Sequence, residues 1–313
     1  MVWRHEGVVK QIADSLFRRF LATGVAGAAT LAALCAASPA TASELTIQFQ
    51  DRDVARMVSL GGSCNRCELS GRDLAGAAFT GASFTNATLV GANLRGAELV
   101  GSNFAGSDFS RADLTGAELV AANFTGANFT SANLTGVSAT GATLVRVRMD
   151  RAVAPGAELN GANLNGAMLS NANFSGGELN GATLANTNSR GANFNSAEVS
   201  MSNLSNGDFR NASFRDAELN GSRLTGGQFD GANFSGASLN RTDIRGADLS
   251  GARGLTQEAV GRACGDANTR LPGRLTARVC RGISGVRVTP APPAPPAPPV
   301  PPRQRNFVVA SGH

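Results

Sequence analysis

Six glutamates of this chain recur at spacings that are all multiples of 20 residues, and they are the only glutamates between residues 69 and 251. If 20 residues return the chain to the same side of the molecule, their carboxylates stack into a row. Such a row could bind a divalent cation or a basic partner. A duplicated repeat would also copy its glutamate automatically, so spacing alone does not establish a site. The six are Glu98, Glu118, Glu158, Glu178, Glu198 and Glu218.

Cysteines offer a second kind of chemistry. Cys64 and Cys67 form a C-x-x-C pair, for which a cap disulfide, a redox-active pair and a metal site are open alternatives. No thioredoxin-like pattern surrounds the pair, and no second pair or histidine completes a metal set. We expect Cys264 and Cys280 to form one bridge, because an even cysteine count in an exported protein favours disulfides.

Histidine chemistry is excluded from the body of the chain, because His5 and His313 are the only histidines. No Ser/His/Asp or Cys/His set can form, and Lys10, the only lysine, does not follow a phosphate-binding glycine loop. The sequence therefore predicts a protein that is not an enzyme and has neither a metal site nor a cofactor.

The N-terminus resembles an export signal. Arg18 and Arg19 precede an apolar stretch, residues 20–37, that ends in an A-x-A cleavage signature at Ala40 and Ala42. Cleavage near Ala42 predicts a periplasmic or secreted protein with no stable membrane span. The alternative is an anchor formed by an uncleaved N-terminal helix.

Charge is distributed unevenly along the chain. Residues 69–251 hold 12 Arg and 15 Asp or Glu, a net charge of −3, whereas residues 252–313 carry a net charge of +7. The basic pI of about 9.5 therefore comes from the C-terminal part. A basic tail can solubilise a protein or bind an acidic surface.

The elements that must position these groups follow from a repeat of five residues. From Leu69 to Leu249 every fifth residue, 37 positions in all, is apolar except for Ser189. A period of five suits neither a helix nor a straight strand, so the chain must turn at every repeat. Glycine often follows two residues later, which suits tight corners.

The 20-residue period of the glutamates sets four sides to each coil. Phenylalanines agree, since Phe84, Phe104 and Phe124 form one file and residues 174, 194, 214 and 234 another. The fold predicted is all-β: a parallel solenoid of square section with about nine coils at about 4.8 Å per coil. Residues 137–155 depart from the pattern, so we expect an irregular middle coil that joins two repeat blocks.

The pattern in Gly91-Ala92-Asn93-Leu94-Arg95 and in residues 161–165 resembles that of the pentapeptide-repeat family. This resemblance implies a right-handed quadrilateral β-helix in which the residue before each central Leu points outward. It would place the six glutamates on one face. The resemblance also supports cysteines in the caps that flank the coils.

Capping elements are predicted at both ends of the solenoid, because an open end would expose apolar surface and strand edges. Residues 51–60 suit a short helix at the N-terminal end, and Thr256 suits the N-cap of a second helix that reaches about Cys264. The predicted organisation is a signal peptide at 1–42, an N-terminal cap with a short helix at 43–68, the solenoid at 69–251, a C-terminal cap at 252–281 and a disordered Pro-rich tail at 282–313.

Function is predicted at the level of class. The first hypothesis is a structural or interaction scaffold of the cell envelope with an unknown protein partner and an oligomeric state that the sequence leaves open. The alternatives are cation binding by the glutamates and, from the family resemblance, a DNA-mimicking protein that acts on DNA gyrase. Mimicry requires a strongly acidic surface and a cytoplasmic location, so we expect no nucleic-acid-related role here.

Overall fold

The computed structural model of this protein describes residues 62–280. The predicted signal peptide, the predicted helix at 51–60 and the Pro-rich tail lie outside the described residues. No helix of the described part is long and apolar enough to cross a membrane.

Residues 63–253 form a parallel β-helix solenoid. One residue in every five pairs with the residue 20 positions later, from Ser63 with Ser83 to Asn233 with Arg253. The pairs are parallel and carry regular backbone hydrogen bonds, such as Leu94 N–H to Asp113 O at 2.6 Å. Four five-residue sides therefore close each coil, and every residue lies above the one 20 positions away.

The core consists of the central apolar positions, and all 37 of them between Leu69 and Leu249 are buried. The small residues two positions earlier, such as Ala92 and Ala97, are buried as well. Phenylalanine rings stack coil upon coil, with ring centroids of Phe84 and Phe104 4.8 Å apart and those of Phe194 and Phe214 5.1 Å apart. The structure adds two phenylalanine files that the sequence analysis did not single out, at residues 109 and 129 and at residues 209 and 229.

Each corner is a tight turn held by a backbone hydrogen bond. In the turn after Leu94, the Ala97 N–H donates to the Leu94 carbonyl at 3.0 Å. The third turn residue, Gly96, has a φ of 61°. Side chains disfavour this left-handed conformation, which explains the glycine so frequent in the repeat. Residues such as Asn, Ser and Arg adopt it at the other corners.

The irregular middle coil that we expected at residues 137–155 is not observed. Ser138 pairs with Glu158, and Arg148 pairs with Met168, in the same parallel register as elsewhere. Only the packing differs, because Ala139 and Ala154 replace larger central residues. They help to line an apolar cavity of about 10 Å³.

The C-terminal end contains the regular elements of the described chain. Helix α1 spans Gln257–Arg262, strand β1 spans Cys264–Gly265 and strand β2 spans Arg278–Val279. β1 pairs in parallel with β2 and, through Cys264, with Asp243 of the last coil. Thr256 is the N-cap of α1, its hydroxyl accepting the Ala259 N–H at 3.2 Å, and the buried side chain of Val260 packs on the solenoid core.

The solenoid ladder begins six residues earlier than predicted. Ser63 and Glu68 already pair with the next coil, so residues 63–68 belong to the first coil rather than to a separate cap. Cys64 and Cys67 hold the inward positions that a central Leu and a small Ala hold in later repeats. Both pack against the core.

Candidate functional site

The six glutamates lie on one side of the solenoid, named here the Glu face. The β-bridges link Glu98 to Glu118, run through Ser138, continue from Glu158 to Glu218 and end at Ser238. Each glutamate is exposed. Inward burial of the residues on either side forces each of them outward, because successive side chains along a strand alternate faces.

Hydrogen bonds hold several carboxylates of the Glu face in place. The Asn160 amide donates to Glu178 Oε2 at 2.8 Å, and the Asn180 amide donates to Glu198 Oε2 at 3.0 Å. Ser138 Oγ donates to Glu158 Oε2 at 3.1 Å. Like charges on neighbouring strands repel each other, and these donors offset part of that repulsion.

The asparagines beside the Glu face do not form the amide-to-amide ladder that their spacing suggests. Asn160 Oδ1 accepts the Asn180 backbone N–H at 3.0 Å, while its amide nitrogen is engaged by a glutamate. Amide ladders occur on other sides instead, where Asn123 donates to Asn103 at 3.1 Å and Asn193 donates to Asn173 at 3.0 Å.

The geometry of the Glu face does not assemble a cation site. Among the described residues, the one group of acidic and sulfur ligands whose atoms converge within 4.8 Å is Asp243 with Cys264 and Cys280. The two sulfurs are bonded to each other and so offer no thiolate ligand. Cation binding by the Glu face stays a prediction that would require its carboxylates to reorient.

A basic cluster lies on the side opposite the Glu face. Arg146, Arg148 and Arg151 are all exposed, and in the described structure none of them makes a salt bridge. Two apolar side chains flank them and are unusually open to solvent, Val153 at 44% exposure and Met168 at 40%. We name these five residues the Arg patch. Sequence analysis registered this stretch only as a departure from the repeat, and that departure was the signal that could have identified it.

A polar groove of about 570 Å³ opens near the C-terminal end, although we expected a convex solenoid to offer no pocket. Gly226 and Gly246 line it and leave it open, and Arg210 and Arg270 contribute charge. Both arginines are already paired within the chain, with Asp208 at 2.7 Å and Asp248 at 3.6 Å respectively. The groove therefore presents no unpaired arginine to a ligand.

The cysteines are paired as Cys64 with Cys67 and Cys264 with Cys280, with Cα–Cα distances of 5.5 Å and 4.7 Å. The second disulfide ties β1 to the end of β2. Cys280 Sγ also lies 3.7 Å from Asp243 Oδ1. Hydrogen bonds from the Arg245 guanidinium lower the pKa of the Asp243 carboxyl, so Asp243 stays charged beside this disulfide.

Comparison with known proteins places these features in context. A family model described as pentapeptide repeats matches eight copies, in segments that together span residues 63–251. HetL, described as involved in heterocyst differentiation regulation in the cyanobacterium Nostoc sp. strain PCC 7120, is 28% identical. That match covers 70% of this chain and 98% of HetL, with a TM-score of 0.34.

A second similar structure is full-length QnrB1, described as a plasmid-mediated fluoroquinolone resistance protein. It is 22% identical, over 66% of this chain and 94% of QnrB1, with a TM-score of 0.43. No curated protein sequence matches the chain significantly.

Proposed function

The chain belongs to the pentapeptide-repeat family, and from this premise we propose that it is a non-enzymatic interaction scaffold of the cell envelope. It would present its regular sides to a protein partner. One observation carries the proposal: an unbroken ladder from Ser63 to Arg253 that fixes the six glutamates in register on one side. A rigid, charged and flat surface of this kind suits recognition of a partner with complementary charge.

The location in the envelope is the second part of the proposal. Its support is the A-x-A signature at Ala40 and Ala42 after an apolar stretch, together with four paired cysteines in the segment that remains. Disulfides persist in oxidising compartments such as the periplasm. We place the mature N-terminus near Ser43.

The ends complete the proposed scaffold. We assign about nine coils to the solenoid, at 20 residues each. Helix α1 and the Cys264–Cys280 disulfide would cover its C-terminal end, because Val260 and Ala263 bury their side chains on the last coil. The Cys64–Cys67 disulfide would hold the first corner at the other end.

Fractionation of the native host tests the location. We expect the protein in the periplasmic or secreted fraction, and mass spectrometry should find a mature N-terminus near Ser43 and an intact Cys264–Cys280 disulfide. A full-length cytoplasmic species with free thiols would overturn the export proposal.

Affinity capture from envelope extracts tests the Glu face. The double variant Glu158→Gln and Glu178→Gln should lose the partner that the wild type retains, because it removes two neighbouring charges without changing shape. The matched control is Asp150→Asn with Asp230→Asn, which removes two charges from other sides. Equal capture by all three proteins would contradict a role for the Glu face.

The aligned carboxylates also favour a second candidate, the gyrase-directed DNA mimic that the family resemblance implies. A cytoplasmic location is its requirement, and the repeat body carries a net charge of only −3. A DNA supercoiling assay tests it directly. Inhibition of gyrase by the wild type, but not by the Glu158→Gln and Glu178→Gln variant, would favour mimicry over the envelope scaffold.

A further inference from the structure

The Arg patch is the part of the solenoid surface that the fold itself does not require. The backbone ladder passes through it unchanged, with Arg148 N–H donating to Ala127 O at 2.9 Å and Met168 N–H donating to Val147 O at 2.9 Å. The surrounding repeats place Asn or Asp on the outward positions of these sides, as at Asn128 and Asn133. Arg148, Val153 and Met168 replace such residues without any change of backbone register.

Backbone conformation adds an independent observation. Arg146 and Arg151 occupy corner positions with φ values of 54° and 59°, a left-handed conformation that disfavours a long side chain. The corners before and after them, Gly141 and Gly156, hold glycine with φ values of 67° and 64°. Two consecutive corners thus carry strained arginines where glycine would be free of strain, and such strain marks surfaces that have a function.

The composition of the Arg patch is that of an interface centre. Arginine and methionine are enriched at protein interfaces, and exposed apolar groups beside unpaired charge are costly unless a partner covers them. Arg146 also lies over the next coil, where its Cγ stands 3.4 Å from the position that a Cβ on Gly166 would take. A bare glycine below it gives this side chain room to lie flat on the solenoid.

The surface with complementary charge is present on the same chain. Bridged residues follow one another around a coil as Ser138, 143, Arg148, 153 and Glu158. Arg148 is therefore two sides away from the Glu face and midway in height between Ser138 and Glu158. A sideways shift of one copy, without rotation, brings the Arg patch level with the place where Ser138 interrupts the glutamates.

We propose that the Arg patch docks on the Glu face of a second copy of this chain, so that solenoids associate side by side. The contact is heterologous, and a pure translation does not close a ring, so the product is an open row. A side of five residues over about nine coils offers roughly 700 Å² per partner, near the lower limit for a stable interface. Association should therefore be weak and sensitive to salt.

Sedimentation velocity of the full-length chain tests this inference. At low ionic strength the wild type should sediment faster as its concentration rises, and added salt should return it to the monomer. The triple variant Arg146→Glu, Arg148→Glu and Arg151→Glu should weaken association by at least about tenfold. The double variant Glu158→Arg and Glu178→Arg should do the same, and an equimolar mixture of the two variants should associate again because each supplies the charge that the other has lost.

The matched control is Arg215→Glu, Arg223→Glu and Arg274→Glu, which makes the same change in net charge at exposed arginines elsewhere. It should associate like the wild type. The inference is overturned if the wild type stays monomeric at low salt, if the control loses association equally, or if the mixture remains monomeric while both variants retain wild-type circular dichroism. A monomer whose Arg patch instead captures an acidic protein would also overturn it.

This inference rests on the proposed function only in that both use the Glu face. The Arg patch variant leaves the Glu face unchanged. If that variant loses self-association but still captures an envelope partner, the two proposals are separated. If it loses neither, self-association through the patch fails while the scaffold stands.

Discussion

Outward Asn and Asp side chains explain why the repeat favours these two residues. Each accepts the backbone N–H two residues on, as Asn133 does from Thr135 at 3.2 Å and Asn173 does from Ser175 at 3.1 Å. This contact stabilises the corner that follows. At Val153 the acceptor is missing, but the residue two positions on is Pro155, which has no N–H to satisfy. The two exchanges compensate each other and leave Val153 available for contacts outside the chain.

Stacked phenylalanines should carry a large part of the stability of the second half of the solenoid. Phe194 is fully buried, with ring centroids 5.4 Å from Phe174 and 5.1 Å from Phe214. Phe194→Ala should lower the free energy of unfolding by about 3–5 kcal/mol, because it leaves a cavity that its neighbours cannot fill. Urea denaturation followed by circular dichroism measures the loss.

The control is Phe194→Leu, which restores the commonest residue of the central position. It should cost about 1 kcal/mol, as expected of a hydrophobic exchange that largely preserves volume. An equal loss in both variants would show that ring stacking, rather than filled volume, dominates at this file.

Among the elements, the middle coil is the least well packed part of the described core. Ala154 stacks between Leu134 and Phe174 and helps to line the small apolar cavity. Ala154→Val should raise the free energy of unfolding by about 0.5–1 kcal/mol by filling that space. Chemical denaturation, with Ala157→Val as the comparison, measures the effect.

Ala157 is fully buried at a corner, where the solenoid has room only for a small side chain. Its substitution by valine should therefore destabilise the protein by about 1–3 kcal/mol. A stabilising effect at both positions would contradict the distinction between central and small sites.

The C-terminal end should be the part most sensitive to acid. Hydrogen bonds from Arg245 lower the pKa of Asp243, and hydrogen bonds from Ser250 lower that of Asp248. A carboxyl with a depressed folded pKa stabilises the fold above its unfolded pKa of about 3.9, and that contribution is lost as pH falls through the folded value. Amide exchange around α1 and β1 should accelerate below about pH 4, before exchange in the central coils does.

Asp243→Asn with Asp248→Asn is the matching variant, because it removes the titrating groups but keeps most of the hydrogen bonds. It should weaken the C-terminal end at neutral pH and flatten its pH dependence. Unchanged acid sensitivity in this variant would assign the effect to other groups.

At the scale of the whole molecule, stacking in register predicts which deletions the solenoid tolerates. Removal of residues 159–178 takes out one full coil and joins Glu158 to Leu179, so every side keeps its register. This variant should fold cooperatively with a melting temperature close to that of the wild type, since each coil contacts mainly its neighbours. Removal of residues 159–176 breaks the five-residue frame and should abolish cooperative unfolding.

Thermal denaturation by circular dichroism compares the two deletions. A third deletion, residues 159–173, keeps the five-residue frame but turns every later side by one position. It should fold, yet split the Glu face between two sides and so lose functions that need a continuous row. Cooperative folding of the 18-residue deletion would contradict the register argument.

Sequence alone determined the solenoid, its core and the alignment of the glutamates. A period of five with buried central residues forces a corner at each repeat, and a period of 20 forces the stacking of Glu98 on Glu118. These conclusions depend only on burial and chain geometry, which one sequence contains in full.

Only the tertiary structure decided how outward side chains are used. Whether Asn160 bonds to Asn180 or to Glu178 depends on rotamers and on the neighbouring coil, and no local pattern encodes that choice. The same is true of the regular coil at residues 137–155, because the backbone ladder is indifferent to outward residues. The placement of the Arg patch opposite the Glu face follows from closure of the coil, which brings residues ten apart in the chain to opposite sides.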